Sequence, residues 1–452
     1  MALVIEQCQV APPPGSASEL RLPLTYFDVQ WLSFHRMRRI HFYKLPISKT
    51  SLIRSIIPSL INSLSLALKH CIPLAGYVVC PLNSYGYPEL RYVTGDSVFV
   101  TFCETDMDFN FLVGNHPRNA KDFYHLVPQL AEPKHAPGVQ LAPVLAIQVT
   151  LFPNHGISID FTHHHVVGDG RSLAGFTKSW ALLNRFGGNE QFLADESPYY
   201  DRSIVKDPYG IGMSILDEMK KKKLEMCDIV TPPDDKVRAT FIVVRKDIEK
   251  LKNLILSRRP SLTHVTSFTV TCAYVWTCLI KSEAAIGEKI DENGMEFFMC
   301  AADCRTRLDP PLPPTFFGNC IMPYIGKTRH ADLVGKEGFT IAVELIGETI
   351  KKKMKDEEWI LKGDWYFKDY STLDENRALS VAGSPNFDLY AVDFGWGRPE
   401  KLEFISIDGD TGISMSLSKS KDSDEDLEVG LSLPKTRINA FAAIFTHGLS
   451  FM

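Results

Sequence analysis

Phe161-Thr162-His163-His164-His165-Val166-Val167-Gly168-Asp169-Gly170 lies between two stretches of different period. Before it, Ile157-Ser158-Ile159-Asp160-Phe161 alternates apolar and polar, the pattern of a half-buried strand. After it, Asp169 to about Phe186 reads as a helix. A histidine is thereby set at the end of a strand, with an aspartate four residues on at the mouth of a helix. A general base must be held in one tautomer and one direction, and this placement suits it. A strand continued through the run puts His165 on the face of Ile157, Ile159, Phe161 and His163, with His164 opposite. Gly168 and Gly170 allow a tight turn. Asp169 either caps the helix or fixes the loop through an ion pair.

Working outward, Leu145 to Leu151 reads as a strand and Pro153-Asn154-His155-Gly156 supplies turn residues, so a hairpin delivers His165. Ser51 to Leu68 is apolar at helical spacing, with Pro58 as a kink. From Gly187 to about Asp235 the periodicity weakens, and the segment reads as a crossover carrying one basic helix around Ile215 to Met226. Beyond it, Thr240 to Val244 and Met295 to Ala302 read as strands, and Asp247 to Leu256 and Thr266 to Ile280 as helices. Leu402 to Ile407 and Ile413 to Ser418, joined by Asp408-Gly409-Asp410, carry a hairpin signal. Leu427 to Leu433 is a further strand, and Pro434 opens a last helix to about His447. The fold class is mixed α/β in two domains: 1–190 with the histidine motif, a crossover at 191–235, and 236–452, with part of 380–420 expected to pack against the first domain.

The 452 residues, 45% hydrophobic and 23% charged, have an ordinary globular balance. A net charge of -5 gives no overall cationic field for nucleic acid, and Lys220 to Lys223 reads as a solvated helix face. No uninterrupted apolar run approaches the ~20 residues of a membrane span. The first residues lack the basic and apolar regions of a secretory signal. Ten cysteines without paired spacing point to free thiols in a reducing cytoplasm. Of the three adjacent histidines, alternation lets only His163 and His165 share an ion, and no carboxylate or cysteine at ligand spacing completes a metal site. The remaining alternative to a base is a purely structural trio.

A second motif, Asp393-Phe394-Gly395-Trp396-Gly397, follows more than two hundred residues later. Together with His165-Val166-Val167-Gly168-Asp169 it resembles the two signatures of the plant BAHD family of coenzyme A-dependent acyltransferases. Further matches are Leu24-Thr25-Tyr26-Phe27-Asp28, Pro73-Leu74-Ala75-Gly76, Asp303-Cys304-Arg305-Thr306-Arg307-Leu308 and Phe317-Gly318-Asn319. The resemblance spans the chain and implies two similar domains related to the chloramphenicol acetyltransferase fold, with a channel between them. His165 then takes the place of the catalytic base and Asp169 pairs with an arginine, for which Arg305 is the candidate. Asp393 and Trp396 match a loop of structural importance, with a direct acid/base role for Asp393 as the alternative. Thr266 and Ser267 match a helix start used for coenzyme A, although Thr266 also reads as an N-cap. Lys252 matches a position for the ribose phosphate or is a surface lysine.

Phe316-Phe317-Gly318-Asn319-Cys320, Phe42-Tyr43-Lys44-Leu45-Pro46 and Ser380 to Pro385 look most like the family members that malonylate phenolic and flavonoid glucosides. Phe316 departs from the usual tyrosine there. The resemblance implies malonyl-CoA as co-substrate, no permanently bound cofactor, and a sugar 6''-hydroxyl as acceptor. A free malonyl carboxylate favours an arginine in the channel. Arg36, Arg38, Arg39, Arg171 and Arg305 are candidates, with Arg39 preferred. Small residues at Ala382 to Ser384 fit a small donor, and Ser384 is a candidate oxyanion donor. A hydroxycinnamoyl-CoA acyltransferase is the rival within the class, and a non-catalytic protein holding a phenolic ligand the rival outside it. The expected partners are small molecules alone, with no nucleic acid or membrane, and the chain a monomer.

Overall fold

The computed structural model describes residues 2–82, 86–193, 197–221, 231–287, 291–353, 357–409 and 412–450. Three sheets carry the chain. The first orders Leu3–Val10, Val98–Glu104, Leu145–Phe152, Gly156–His163, Met37–Lys44 and Lys401–Phe404. The second orders Ile321–Arg329, Met295–Asp303, Ala378–Ala382, Ile413–Lys419, Leu427–Pro434, Lys236–Val243 and Arg118–Asn119. A smaller third sheet runs Leu20–Pro23, Glu89–Tyr92, Tyr77–Pro81, Val139–Pro143 and Lys134–Ala136.

The hairpin at 145–163 is present, antiparallel from Leu145 opposite His163 to Phe152 opposite Gly156. Its second strand departs from the half-buried reading, because every residue of Gly156–His163 is buried. The polar residues of its second face find partners within the fold, except one Asp160 carboxylate oxygen. Ser158 donates to Asp160 at 2.8 Å, and Thr162 donates to the Pro128 carbonyl at 2.5 Å. Burial raises the Asp160 carboxyl well above its usual range, opposed only by the Ser158 hydroxyl.

The hairpin expected around Asp408-Gly409 is absent. Lys401–Phe404 pairs with Met37–Lys44 in the first sheet, whereas Ile413–Lys419 joins the second. Ile405–Asp408 is a short helical turn between them, and Asp410 lies outside the described residues. Turn residues announce a change of direction but do not say which sheet edge the next strand meets. The basic helix spans Ile211–Lys221, starting four residues before the expected Ile215. Asp207 accepts the N–H groups of Ile211 and Gly212 at 2.8 and 2.9 Å, which moves its start forward. The expected end near Met226 lies outside the described residues.

Pro58 does not break its helix. The preceding turn, Leu52–Ile56, widens to π geometry, which accommodates a residue without an N–H, and α-helix resumes at Ile57–His70. The continuous stretch Lys49–His70 has the length and apolarity to cross a membrane. It packs on the helix Gly170–Arg185, where Ser59 and Ser63 donate to Asn184 and Trp180 donates to Ser63.

Strands cross between the two halves of the chain. Lys401–Phe404 edges the first sheet and Arg118–Asn119 edges the second. Both joins meet at Glu403, whose carboxylate is 2.7 Å from Arg118 and 3.2 Å from Arg238, with Asp408 also paired to Arg238. Burial opposes ionisation of Glu403. The nearby cations Arg118, Arg238 and Lys401 overcome it and hold the carboxyl down at about 2. Glu403→Ala would leave the buried Arg118 guanidinium without a carboxylate and Arg238 with Asp408 alone. We expect a loss of about 3–5 kcal/mol, read as a lowered urea midpoint, with Glu403→Gln intermediate.

Candidate active site

His165 does not continue the strand. Strand pairing ends at His163, and His165–Val167 forms a single 3-10 turn before the helix Gly170–Arg185. The turn is fixed from the second half of the chain. The Asn319 side-chain amide donates to the carbonyls of His165 at 2.9 Å and Val166 at 3.2 Å. Asp28 accepts from the Asn319 amide and backbone N–H, both at 3.0 Å, from Thr25, and from Arg202 at 2.7 Å. Gly318 sits against the Arg202 guanidinium so closely that an added Cβ would lie 2.5 Å from it, and its φ of 147° is in the region that favours glycine. The matched segments around Asp28 and Asn319 thus converge on the backbone of the histidine turn.

The imidazole itself is 9% exposed. Trp31 stacks on it with ring centroids 3.9 Å apart and planes 11° apart, and Phe34 meets it edge-on at 5.7 Å. Burial lowers the His165 pKa. Its own backbone, Asp169, Asn319 and Asp28 pull the other way. The ring is therefore neutral at pH 7 and able to accept a proton. Trp31 gave no signal in the sequence, because a lone tryptophan in an aperiodic segment carries no spacing. His164 is fully buried and its Nδ1 accepts the Val166 N–H at 3.3 Å, a structural role.

Asp169 does both things the sequence allowed. One carboxylate oxygen caps the helix, accepting the N–H groups of Arg171 and Ser172 at 3.1 and 3.2 Å. The other accepts the Cys320 N–H at 3.1 Å and lies 2.8 Å from Arg305. Arg305 also donates to the carbonyls of Phe316 and Gly318. These donors, with the Ser172 hydroxyl at 3.4 Å, leave Asp169 committed to the scaffold, without a hydrogen bond to the imidazole.

Asp393 belongs to the opposite end of the same helix. It accepts the N–H groups of Gly395 and Gly397 at 2.7 and 2.9 Å and pairs with Arg185 at 2.9 Å. Phe394 packs edge-on against Trp180 at 5.0 Å, and Trp396 stacks on Phe394 at 5.6 Å. A 16-residue helix is about 24 Å long. Asp393 therefore clamps the helix terminus, at the end of that helix away from the His165 turn, while proton transfer needs hydrogen-bond reach.

Thr266 caps the helix Ser267–Ala285, accepting the Thr269 N–H at 3.1 Å, and both Thr266 and Ser267 keep accessible surface. Lys252, on the adjoining helix Arg245–Arg258, pairs with Glu249 at 2.9 Å. Ser384 accepts the Asn386 N–H at 3.2 Å, a turn role. Among the arginine candidates, Arg36 and Arg38 donate to nearby carbonyls, Arg171 pairs with Asp303, and Arg305 with Asp169. Arg39 is half-buried over the Phe404 ring at 4.6 Å. Elsewhere Glu283, Glu296 and His330 cluster closely enough for an ion, but Arg437 and Arg377 neutralise the two carboxylates.

Two outcomes follow from these contacts. Asp169→Asn keeps a capping oxygen and leaves Arg305 with only the more exposed Asp303, at 3.3 Å, as counter-charge. We expect unfolding about 2–4 kcal/mol easier and kcat at least about tenfold lower. Imidazole neutrality also sets a pH dependence. Burial, followed by the Arg39 charge, pushes His41 down to about 3, with the Ile159 backbone opposing. Its unfolded-state value is about 6.5. Between those values the unfolded chain holds the extra proton, so stability falls as pH falls, by up to about 1.4 kcal/mol per unit. Urea midpoints from pH 7 to pH 4 check this, and His41→Phe flattens the slope.

Comparison with known proteins agrees with this geometry. Residues 3–447 match the Transferase family. The chain is 72% identical to phenolic glucoside malonyltransferase 1 of Nicotiana tabacum, over 100% of both chains. It is 42% identical to malonyl-coenzyme:anthocyanin 5-O-glucoside-6'''-O-malonyltransferase of Salvia splendens, over 98% of this chain and 94% of that one. Among solved structures, vinorine synthase superposes with a TM-score of 0.70 at 18% identity, covering 97% of this chain and 96% of the other. A histidine turn braced from both halves, on a fold and sequence shared end to end with these proteins, places the chain in the Transferase family, among the BAHD acyltransferases.

Proposed function

We propose that the chain transfers a malonyl group from malonyl-CoA to a sugar hydroxyl, the 6''-position, of a phenolic or flavonoid glucoside. The observation that carries this reading is the 72% identity, over both full lengths, with a phenolic glucoside malonyltransferase. The neutral, positioned imidazole of His165 supports the chemistry. His165 takes the proton of the glucoside hydroxyl as its oxygen attacks the thioester carbonyl. The tetrahedral oxyanion collapses, the carbon–sulfur bond breaks, and His165 returns the proton to the departing thiolate. The ester bond is formed without a covalent enzyme intermediate. Such a base supplies roughly 10²–10⁴ in rate, and holding both substrates at one point supplies more through orientation.

Each remaining part of the site has a supporting role in this scheme. Asp169 and Asn319 hold the turn and do not exchange protons. The accessible helix start at Thr266 and Ser267 suits the polar, anionic groups of coenzyme A. Lys252 would exchange Glu249 for the ribose phosphate. The nine described cysteines are free, which fits a reducing compartment such as the cytoplasm, and the reaction requires one chain only.

Incubation with malonyl-CoA and a panel of glucosides and their aglycones is the test, read by mass spectrometry. Expected are products heavier by one malonyl group on glucosides alone, and a loss of at least about 10² in kcat for His165→Ala. Aglycones accepted as well as glucosides overturn the acceptor. Faster turnover of coumaroyl-CoA than malonyl-CoA overturns the donor.

A further inference from the structure

A carboxylate often does two things for a histidine base. It holds the ring in one orientation, and it steadies the imidazolium that forms when the proton arrives. His165 has no carboxylate in that position. Both Asp169 oxygens are taken, one by the helix start and the other by the Cys320 N–H and Arg305. The hydrogen-bond help the ring receives is neutral, from its own backbone and from Asn319. The residue is buried, so bulk water does little to steady the charge.

Aromatic contacts stand where the carboxylate would. The Trp31 indole lies flat on the imidazole, 3.9 Å between centroids and parallel to within 11°. Phe34 stands edge-on to both rings, 5.7 Å from the imidazole and 4.8 Å from the indole. Both members of the stack hang from one residue. The Trp31 backbone N–H donates to the Asp28 carbonyl at 3.0 Å. The Asp28 carboxylate accepts from Asn319, whose side chain holds the carbonyls of His165 and Val166. Asp28 is itself fully buried and braced by Thr25 and Arg202. The indole N–H is buried without a hydrogen-bond partner, although a buried tryptophan ordinarily finds one. Its place over the imidazole is therefore set by the backbone at Asp28 and by the stack.

The stack has an electrostatic consequence. An indole face carries negative partial charge and attracts a cation within about 6 Å of its centroid. A neutral imidazole gains little from that face and an imidazolium gains more. The contact thus strengthens when His165 holds the proton, which is the kind of interaction that speeds a reaction. An uncharged ring supplies this without placing a second charge in a buried site.

We infer that Trp31 is the positioning residue of the base: it fixes the plane of the His165 ring and stabilises the imidazolium, in place of an orienting carboxylate. The inference rests on the acyl-transfer reading above. The proton passes from the glucoside hydroxyl to the imidazole and on to the thiolate, and Trp31 neither gains nor loses one. The charged groups around the ring are the same with and without Trp31. Asp169 and Asp28 favour the protonated form, while His163 and His164, beside Arg39 and Arg36, are kept neutral chiefly by burial.

Malonyl transfer from malonyl-CoA to a naphthyl glucoside, measured against pH in wild type, Trp31→Phe and Trp31→Leu, tests the assignment. Loss of the aromatic face in Trp31→Leu should lower kcat about 5- to 30-fold and move the acid limb of kcat/KM to lower pH by about half a unit or more. Trp31→Phe, which keeps a weaker face, should fall between, and it carries the test if Trp31→Leu does not fold. A loss of kcat with the acid limb unmoved, or a Trp31→Phe no better than Trp31→Leu, reduces Trp31 to packing and overturns the inference. A raised KM for the glucoside at unchanged kcat makes Trp31 a wall of the acceptor site and overturns it too. A wild type that transfers no malonyl group overturns the function itself, and the stack is then decided by NMR. The His165 ring signal, identified by its absence in His165→Ala, should titrate at lower pH in Trp31→Leu than in wild type, and equal midpoints overturn the inference.

Discussion

The ion pair between Asp169 and Arg305 is the constraint on which the site depends. It is buried, so neither partner can be removed without leaving a charge in a low-dielectric interior. One end caps the helix that follows His165, and the other comes from the segment after Met295–Asp303 in the second sheet. The carboxylate also accepts the Cys320 N–H, one residue from Asn319, which holds the carbonyls of His165 and Val166. A single aspartate therefore registers the two halves of the chain at the histidine turn.

The rest of the scaffold repeats that pattern of shared residues. Glu403, on a strand from the second half, is neutralised by Arg118 from the first and Arg238 from the second. Asp393 ties the loop after Tyr390 to the last residue of the helix that begins at Asp169. The helix Gly170–Arg185 is thus held at both ends by charge and along its length by Trp180, Asn184 and Phe394. Rigidity of this kind suits a base that has to meet two substrates in one orientation.

Much of this was legible in the sequence. The hairpin to His163 and the helix after Asp169 followed from a switch of period from 2 to 3.6, which is local information. The Asp169–Arg305 pair came from the match of Arg305 to a motif, and periodicity alone would not have found it. What escaped was non-local. The strand Lys401–Phe404 carries the same alternation whichever sheet receives it, so its turn signal pointed to the wrong neighbour. Trp31 and Arg202 reach the site from loops without periodicity. The burial of Ser158, Asp160 and Thr162 was hidden because polar residues on a strand read as a solvent face until their internal partners are known. His165 left the strand two residues earlier than expected because the 3-10 turn is fixed by Asn319, more than 150 residues away.

The exchanged strands also bear on how the protein is made. Met37–Lys44 lies next to the edge of its sheet, and the strand that covers it is Lys401–Phe404. On a ribosome adding roughly 5–20 residues per second, that cover arrives some 20 to 70 seconds later. Through that interval the nascent chain presents an unpaired backbone ladder rich in aromatic and β-branched side chains, Ile40, Phe42 and Tyr43 among them. Arg38, Arg39 and Lys44 punctuate that ladder with positive charge, which discourages self-association of the unfinished chain.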